Sequence, residues 1–300
     1  MIKKWLCSLA ALFANTAKTN EIVVESVHSK LFCKTMGKGR PLIVIHGGPG
    51  LTQDYLLPQL NELAENNFVI FYDQRGCGRS TGEINEQTIN IPTFVNDLDN
   101  IRMAFNFDKV SILGHSWGGF LAMCYAIAHP DALNRLILSS PIPASSEDFA
   151  LFINERTRRI SPYQDEMTAI RNSREFREGN PDTIERLHRI IFRTYCYLPE
   201  KADLLNLRMT PVASINGAKI FELIRENTFN KSFDLRAALK ALKIPTLVIH
   251  GDADPIPAIT AQNIHESIPG STYVLLKNCG HFPYVEQPDT YFNSLKDFLK

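Results

Sequence analysis

An α/β fold on a mostly parallel sheet is predicted by three observations: apolar runs of strand length, helix-length segments between them, and turn residues at the joints. The runs are apolar on both faces rather than alternating, which a sheet covered by helices on both sides requires. In order, Glu21 to Val27 and Leu31 to Met36 read as a hairpin, and Leu42 to His46 enters the core. Buried runs follow at Phe68 to Tyr72, Val110 to Gly114, Leu136 to Ser139, Thr246 to His250 and Thr272 to Leu276. Thr93 to Phe107 fits a covering helix, with Val95, Leu98, Ile101 and Phe105 on one stripe. Between these strands, residues 142–235 hold a charged, helix-favouring stretch with no good strand. Prolines at 143, 162, 181, 199 and 211 cut it into pieces of helix length, predicting a helical insertion between core segments 20–141 and 236–300. Within it, Arg156, Arg158 and Arg159 read as a solvated helix face.

Composition narrows the function. The 300 residues are 44% apolar and 21% charged, enough to bury a large core. Thirty-two basic and 32 acidic residues cancel, so bulk charge recruits neither nucleic acid nor an anionic membrane, and a small neutral molecule is the expected partner. The six cysteines form no Cys-x-x-Cys pair, which leaves a zinc ribbon or a thioredoxin-like site without ligands. Buried free thiols are expected, with no metal. There is no His-Glu-x-x-His motif, no phosphate-cradling Gly-Lys-Ser/Thr, and Gly76-Cys77-Gly78 lacks the third glycine of a dinucleotide fingerprint. At the start, Lys3 and Lys4 precede about ten apolar residues, too few to span a bilayer. Residues 1–19 read either as a signal peptide with a poorly written cleavage site or as an amphipathic extension, so a cytoplasmic and an exported location both stay open.

The strongest chemical signal is Gly114-His115-Ser116-Trp117-Gly118, between an apolar strand and the helix-forming run Phe120 to His129. Such a strand–turn–helix exposes a serine on a sharp, strained elbow, and the flanking glycines let strand and helix approach closely. A serine hydroxyl is a weak nucleophile and needs a base, oriented by a third group. His281, in a loop after the last strand, is the candidate base; His250 inside a strand and His129 at a helix end read as structural. Asp252 and Asp254, just past the preceding strand, are candidates for the orienting acid, and spacing alone does not choose between them. The glycine-rich run His46-Gly47-Gly48-Pro49-Gly50 leaves backbone N–H groups accessible for a developing oxyanion, and the amides of Gly48 and Trp117 are assigned to that hole.

Taken together, His46 to Gly50, Tyr72-Asp73-Gln74-Arg75-Gly76-Cys77-Gly78-Arg79-Ser80 and Gly114 to Gly119 resemble the α/β-hydrolase superfamily. More narrowly, they resemble its proline iminopeptidase branch, peptidase family S33. The resemblance implies an eight-stranded, mostly parallel sheet, a helical cap over the site, and no cofactor or metal. It picks Asp254, three residues after Gly251, as the triad acid and leaves Asp252 as a loop-capping residue. It also implies cap glutamates that hold a substrate's free amine; Glu226, in Arg225-Glu226-Asn227-Thr228-Phe229, is the first candidate, with Glu222 and Glu155 behind it. The expected activity is removal of N-terminal residues from short peptides. The Gly-His-Ser start of the elbow, common among esterases and lactonases, keeps ester or lactone hydrolysis as the alternative, and a non-catalytic receptor on the same fold is a remote one.

Overall fold

The computed structural model describes residues 19–300. The expected N-terminal extension falls, but for its last residue, outside the described residues. The β-branched and aromatic runs form eight strands: β1 (Asn20–Ser26), β2 (Ser29–Met36), β3 (Arg40–Ile45), β4 (Asn67–Tyr72), β5 (Val110–His115), β6 (Leu133–Ser139), β7 (Thr246–Gly251) and β8 (Thr272–Leu276). They make one sheet in the order β1-β2-β4-β3-β5-β6-β7-β8. Only β2 runs against its neighbours, β1 and β4; every pairing from β4 to β8 is parallel. β3, β5 and β7 are buried through most or all of their length, as strands covered on both faces must be. β8 departs from the expected buried run: Thr272 is exposed and Tyr273 to Leu275 are half-buried, because β8 closes the sheet and has a partner on one side only.

The helices are α1 (Ile91–Ala104), α2 (Trp117–Ala128), α3 (Ser146–Ile160), α4 (Gln164–Asn172), α5 (Arg174–Arg177), α6 (Pro181–Arg193), α7 (Pro211–Ile224), α8 (Arg236–Leu239), α9 (Ala258–Ser267), α10 (Pro283–Glu286) and α11 (Pro288–Leu299). α1 starts where the Asn90 side chain accepts the Thr93 N–H, two residues before the expected start, because Asn90 and Pro92 write a stronger N-terminus than the apolar stripe. Between β6 and β7 the regular structure is helical. Pro181 and Pro211 open α6 and α7 at positions where the missing N–H costs nothing, behind caps from Asn180 and Thr210. Ile184, Leu187 and Ile191 give α6 its buried stripe.

One buried ion pair ties a site loop to the scaffold. Arg75 donates to Asp97 of α1 through Nε (2.9 Å to Oδ2) and Nη2 (2.6 Å to Oδ1), and through Nη1 to the Val27 carbonyl at 2.8 Å. Both side chains are 1% exposed, and burial holds the Asp97 carboxyl above its usual range despite its hydrogen bonds. Removing one partner of such a pair strands the other. Arg75→Met is expected to destabilise the fold by about 3–5 kcal/mol, read as a lowered urea midpoint at constant slope.

Candidate active site

Parallel strands bring the predicted residues to one edge of the sheet, since the loops leaving β3, β5, β7 and β8 all emerge from carboxyl ends. At the end of β5, Ser116 takes φ 57° and ψ −120° before α2 begins. A side chain rarely adopts that backbone, at a cost of order 1–3 kcal/mol, so the surroundings must hold it. They do: Ser116 N–H donates to the Ser139 carbonyl (3.0 Å), and its own carbonyl accepts from Gly119 (2.9 Å) and Ile142 (3.0 Å). The two glycines are obligatory. A Cβ on Gly114 would stand 2.2 Å from the Gly118 carbonyl oxygen, and one on Gly118 would stand 2.3 Å from that of Ile45.

The loop after β3 lies directly against this elbow, for a Cβ on Gly47 would fall 2.9 Å from Ser116 Cβ. Gln74 locks the two together. Its side chain donates to the His46 carbonyl (2.6 Å) and accepts from Trp117 Nε1 (2.8 Å), while its backbone N–H donates to His46 Nε2 (3.0 Å). His46 therefore carries its proton on Nδ1, which donates to the Gly47 carbonyl at 2.7 Å. Gly48, at φ 126°, adopts a conformation that favours glycine. The Gly47 N–H is spent on Tyr55 Oη (2.6 Å), whereas Trp117 opens α2, where backbone N–H groups have no partner within the helix. Asp73 braces the next loop, accepting from Gln53 N–H (2.9 Å), Arg79 N–H (2.9 Å) and Arg79 Nε (3.0 Å).

On the far side, His281 Nδ1 lies 2.8 Å from Asp254 Oδ2, and both residues are buried. Burial opposes ionisation of Asp254, but His281, His250 and the Ile256 N–H (2.8 Å to Oδ1) outweigh it and hold the carboxyl below its usual range. An ionised carboxylate only accepts, so the His281 proton sits on Nδ1 and Nε2 is left basic. Asp252 is exposed and its Oδ1 takes the Cys279 N–H at 3.3 Å, a loop-capping arrangement. No motif or spacing singles out Glu286, which accepts from Gly280 (3.0 Å), Phe282 (3.2 Å) and Tyr197 (2.7 Å) N–H and so clamps the backbone on both sides of His281. Among the described residues no group of three or more His, Cys, Asp or Glu is arranged to hold a metal, and no helix is long and apolar enough to cross a membrane. The five described cysteines are free thiols, four buried and Cys124 partly so.

A model of the α/β-hydrolase fold matches residues 40–288. The chain belongs to the α/β-hydrolase family. Within that family it is proline iminopeptidase-like and a hydrolase. It is 31% identical over 284 residues to the proline iminopeptidase of Saccharolobus solfataricus, covering 91% of this chain and 89% of that one. It is also 31% identical over 270 residues to that of Heyndrickxia coagulans, covering 88% and 91%. A solved proline iminopeptidase from Mycobacterium smegmatis superposes with a TM-score of 0.71 at 23% identity, over 93% of this chain and 97% of the other.

In this α/β-hydrolase the helical segment between β6 and β7 grips the site from above the strand ends. Arg159 of α3 is not on a solvated face: it donates to the carbonyls of Ala253 (2.7 Å) and Asp254 (3.3 Å), while Glu155 holds its Nε at 2.7 Å. Arg156 likewise reaches inward, to Tyr195 Oη at 2.9 Å; only Arg158 lies out in solvent. The Tyr195 carbonyl accepts the His281 N–H (2.9 Å), and its ring meets the imidazole edge-on. An apolar wall stands beside the elbow, where Phe229 packs on Trp117 and stacks on Phe149 at 4.5 Å between centroids. The glutamates considered for an amine site are engaged otherwise. Glu155 is hydrogen-bonded by Arg158 and Arg159, which bring its carboxyl down to about 2; Glu222 is paired with Arg225; Glu226 is exposed and 3.7 Å from Arg225. Arg159→Ala is expected to lower kcat roughly tenfold or more through a displaced acid loop, with KM changing less, in steady-state kinetics.

Proposed function

We propose that the protein is a serine hydrolase that releases N-terminal residues from short peptides in the manner of a proline iminopeptidase. Ser116 Oγ attacks the scissile carbonyl as His281 Nε2 takes its proton, and Asp254 orients the imidazole and stabilises its protonated form. The Gly48 and Trp117 N–H groups receive the oxyanion. Breaking the C–N bond returns the proton from His281 to the leaving amine and leaves an ester on Ser116. Water, deprotonated by His281, then attacks that ester, and His281 returns the proton to Ser116 Oγ as the acid leaves. Residues 142–235 act as the cap over this site, and neither metal nor cofactor enters the chemistry. The observation that carries the reading is the buried 2.8 Å contact between His281 and Asp254 at the sheet edge that also bears Ser116. The names of relatives about 30% identical over nine-tenths of the chain support the peptide substrate.

A second reading keeps the machinery and exchanges the substrate for a carboxylic ester or lactone. It is favoured by the arginine partners of Glu155 and Glu222 and by the aromatic wall of Trp117, Phe149 and Phe229 beside the elbow, which suits an apolar acyl group. The experiment is turnover of prolyl and alanyl chromogenic amides beside short-chain p-nitrophenyl esters, with N-acylated amides as controls. Amide cleavage that vanishes when the amine is blocked is the expected result. Ester cleavage alone would move the assignment to the second reading, and silence on both would give weight to the receptor reading.

A further inference from the structure

A buried chain of three hydrogen bonds joins the loop after β3 to the loop that carries His281. The Gly47 N–H donates to Tyr55 Oη (2.6 Å), Tyr55 Oη lies 2.7 Å from His115 Nδ1, and His115 Nε2 lies 2.8 Å from the His281 carbonyl oxygen. We propose that Tyr55 and His115 are positioning residues of the hydrolytic site, a polar strut that holds the oxyanion loop and the general base in one register; this rests on the serine-hydrolase reading above.

The direction of every bond follows from its ends. A backbone carbonyl only accepts, so His115 Nε2 carries a proton and donates it. Burial drives the imidazole down to about 3, so the ring is neutral and its Nδ1 offers a lone pair. The Tyr55 hydroxyl must then donate to Nδ1, and its oxygen accepts from the Gly47 N–H. Donor and acceptor alternate from one end to the other, with no polar atom of the strut left over. Reversing the tautomer would set a bare nitrogen against the His281 carbonyl oxygen and take from the Tyr55 hydroxyl hydrogen its acceptor on His115.

The strut also stands where small displacements matter. A Cβ on Gly47 would be 2.7 Å from Tyr55 Oη and 2.9 Å from Ser116 Cβ, so the hydroxyl fixes the peptide that leads into Gly48 while touching the space beside the nucleophile. The His115 ring is 4.9 Å from the His281 ring and 5.6 Å from that of Tyr55. Phe282 and Tyr284 flank it, giving the strut a dry sheath in which each bond is stronger than in water. An apolar residue would fill the position of His115 as well. A histidine there adds a donor aimed at the backbone of His281 and an acceptor aimed at Tyr55.

The test is the second-order rate at which a fluorophosphonate labels Ser116 in the full chain, a reaction that needs both the base and the oxyanion donors but no known substrate. Tyr55→Phe, which keeps the ring, and His115→Leu are each expected to label at least about tenfold more slowly. The double variant should be no slower than His115→Leu, because both act through one chain. His115→Gln, whose amide can still donate to the His281 carbonyl, should recover most of the rate. A merely structural role would lower the melting temperature of folded variants and leave labelling at the parent rate, and that result overturns the proposal. Nitrogen-15 spectra of the parent supply a check independent of any variant: a neutral His115 protonated on Nε2 is expected, and the Nδ1 tautomer would overturn the strut. A parent protein that does not label at all refutes the serine-hydrolase reading itself, and the strut with it.

Discussion

Ser116→Ala is expected to lower turnover by about 10⁴- to 10⁶-fold while the protein folds and melts as before. The hydroxyl is the only atom at that position able to form the covalent ester, so its loss removes the step and not just its efficiency. Stability should stay within about 1 kcal/mol, because alanine also has a Cβ and inherits the same strained backbone, and the bonds that hold it come from the main chain of Ser116. Turnover on the chromogenic substrates and a circular dichroism melt check the two halves. Hydrolysis retained in a preparation free of parent protein would take the nucleophile away from Ser116.

Asp254→Asn comes next, with an expected loss of about 10⁴-fold in kcat. The carboxylate accepts from His281 Nδ1 at 2.8 Å, and it is this acceptor that keeps Nε2 bare. An asparagine can present its amide N–H₂ instead, which favours the tautomer with the proton on Nε2, and that ring cannot take the Ser116 proton. Asp252→Asn is the matched control. Asp252 is exposed and bonded to the Cys279 N–H, so its change should cost no more than about threefold. Equal losses at the two positions, or the larger one at 252, would reassign the acid.

The sheet was legible because most of its strands are buried on both faces and announce themselves as continuous apolar runs. β8 read the same way although it is an edge, since a run of Tyr273, Val274 and Leu275 does not reveal that one side has no neighbour. The elbow was legible because its geometry admits only glycine at 114 and 118. Arg159 was misread for a general reason: a charged helix face looks solvated in sequence, whereas this side chain spends its guanidinium on carbonyls nearly a hundred residues away. Tyr55, Tyr195 and Glu286 were invisible because each has a partner far along the chain, His115, His281 and Tyr197 respectively, through loops whose meeting no spacing rule encodes. Gln74 lay within a quoted motif, yet its part in joining His46 to Trp117 emerged only when three strand ends were placed side by side.

The most direct measurement is peptide mapping by mass spectrometry after treatment with a fluorophosphonate. One adduct on Ser116 is expected, abolished in Ser116→Ala and strongly slowed in His281→Ala. An adduct on another serine, or an unlabelled protein that hydrolyses ester or amide substrates all the same, would contradict the assignment of Ser116 as the activated nucleophile.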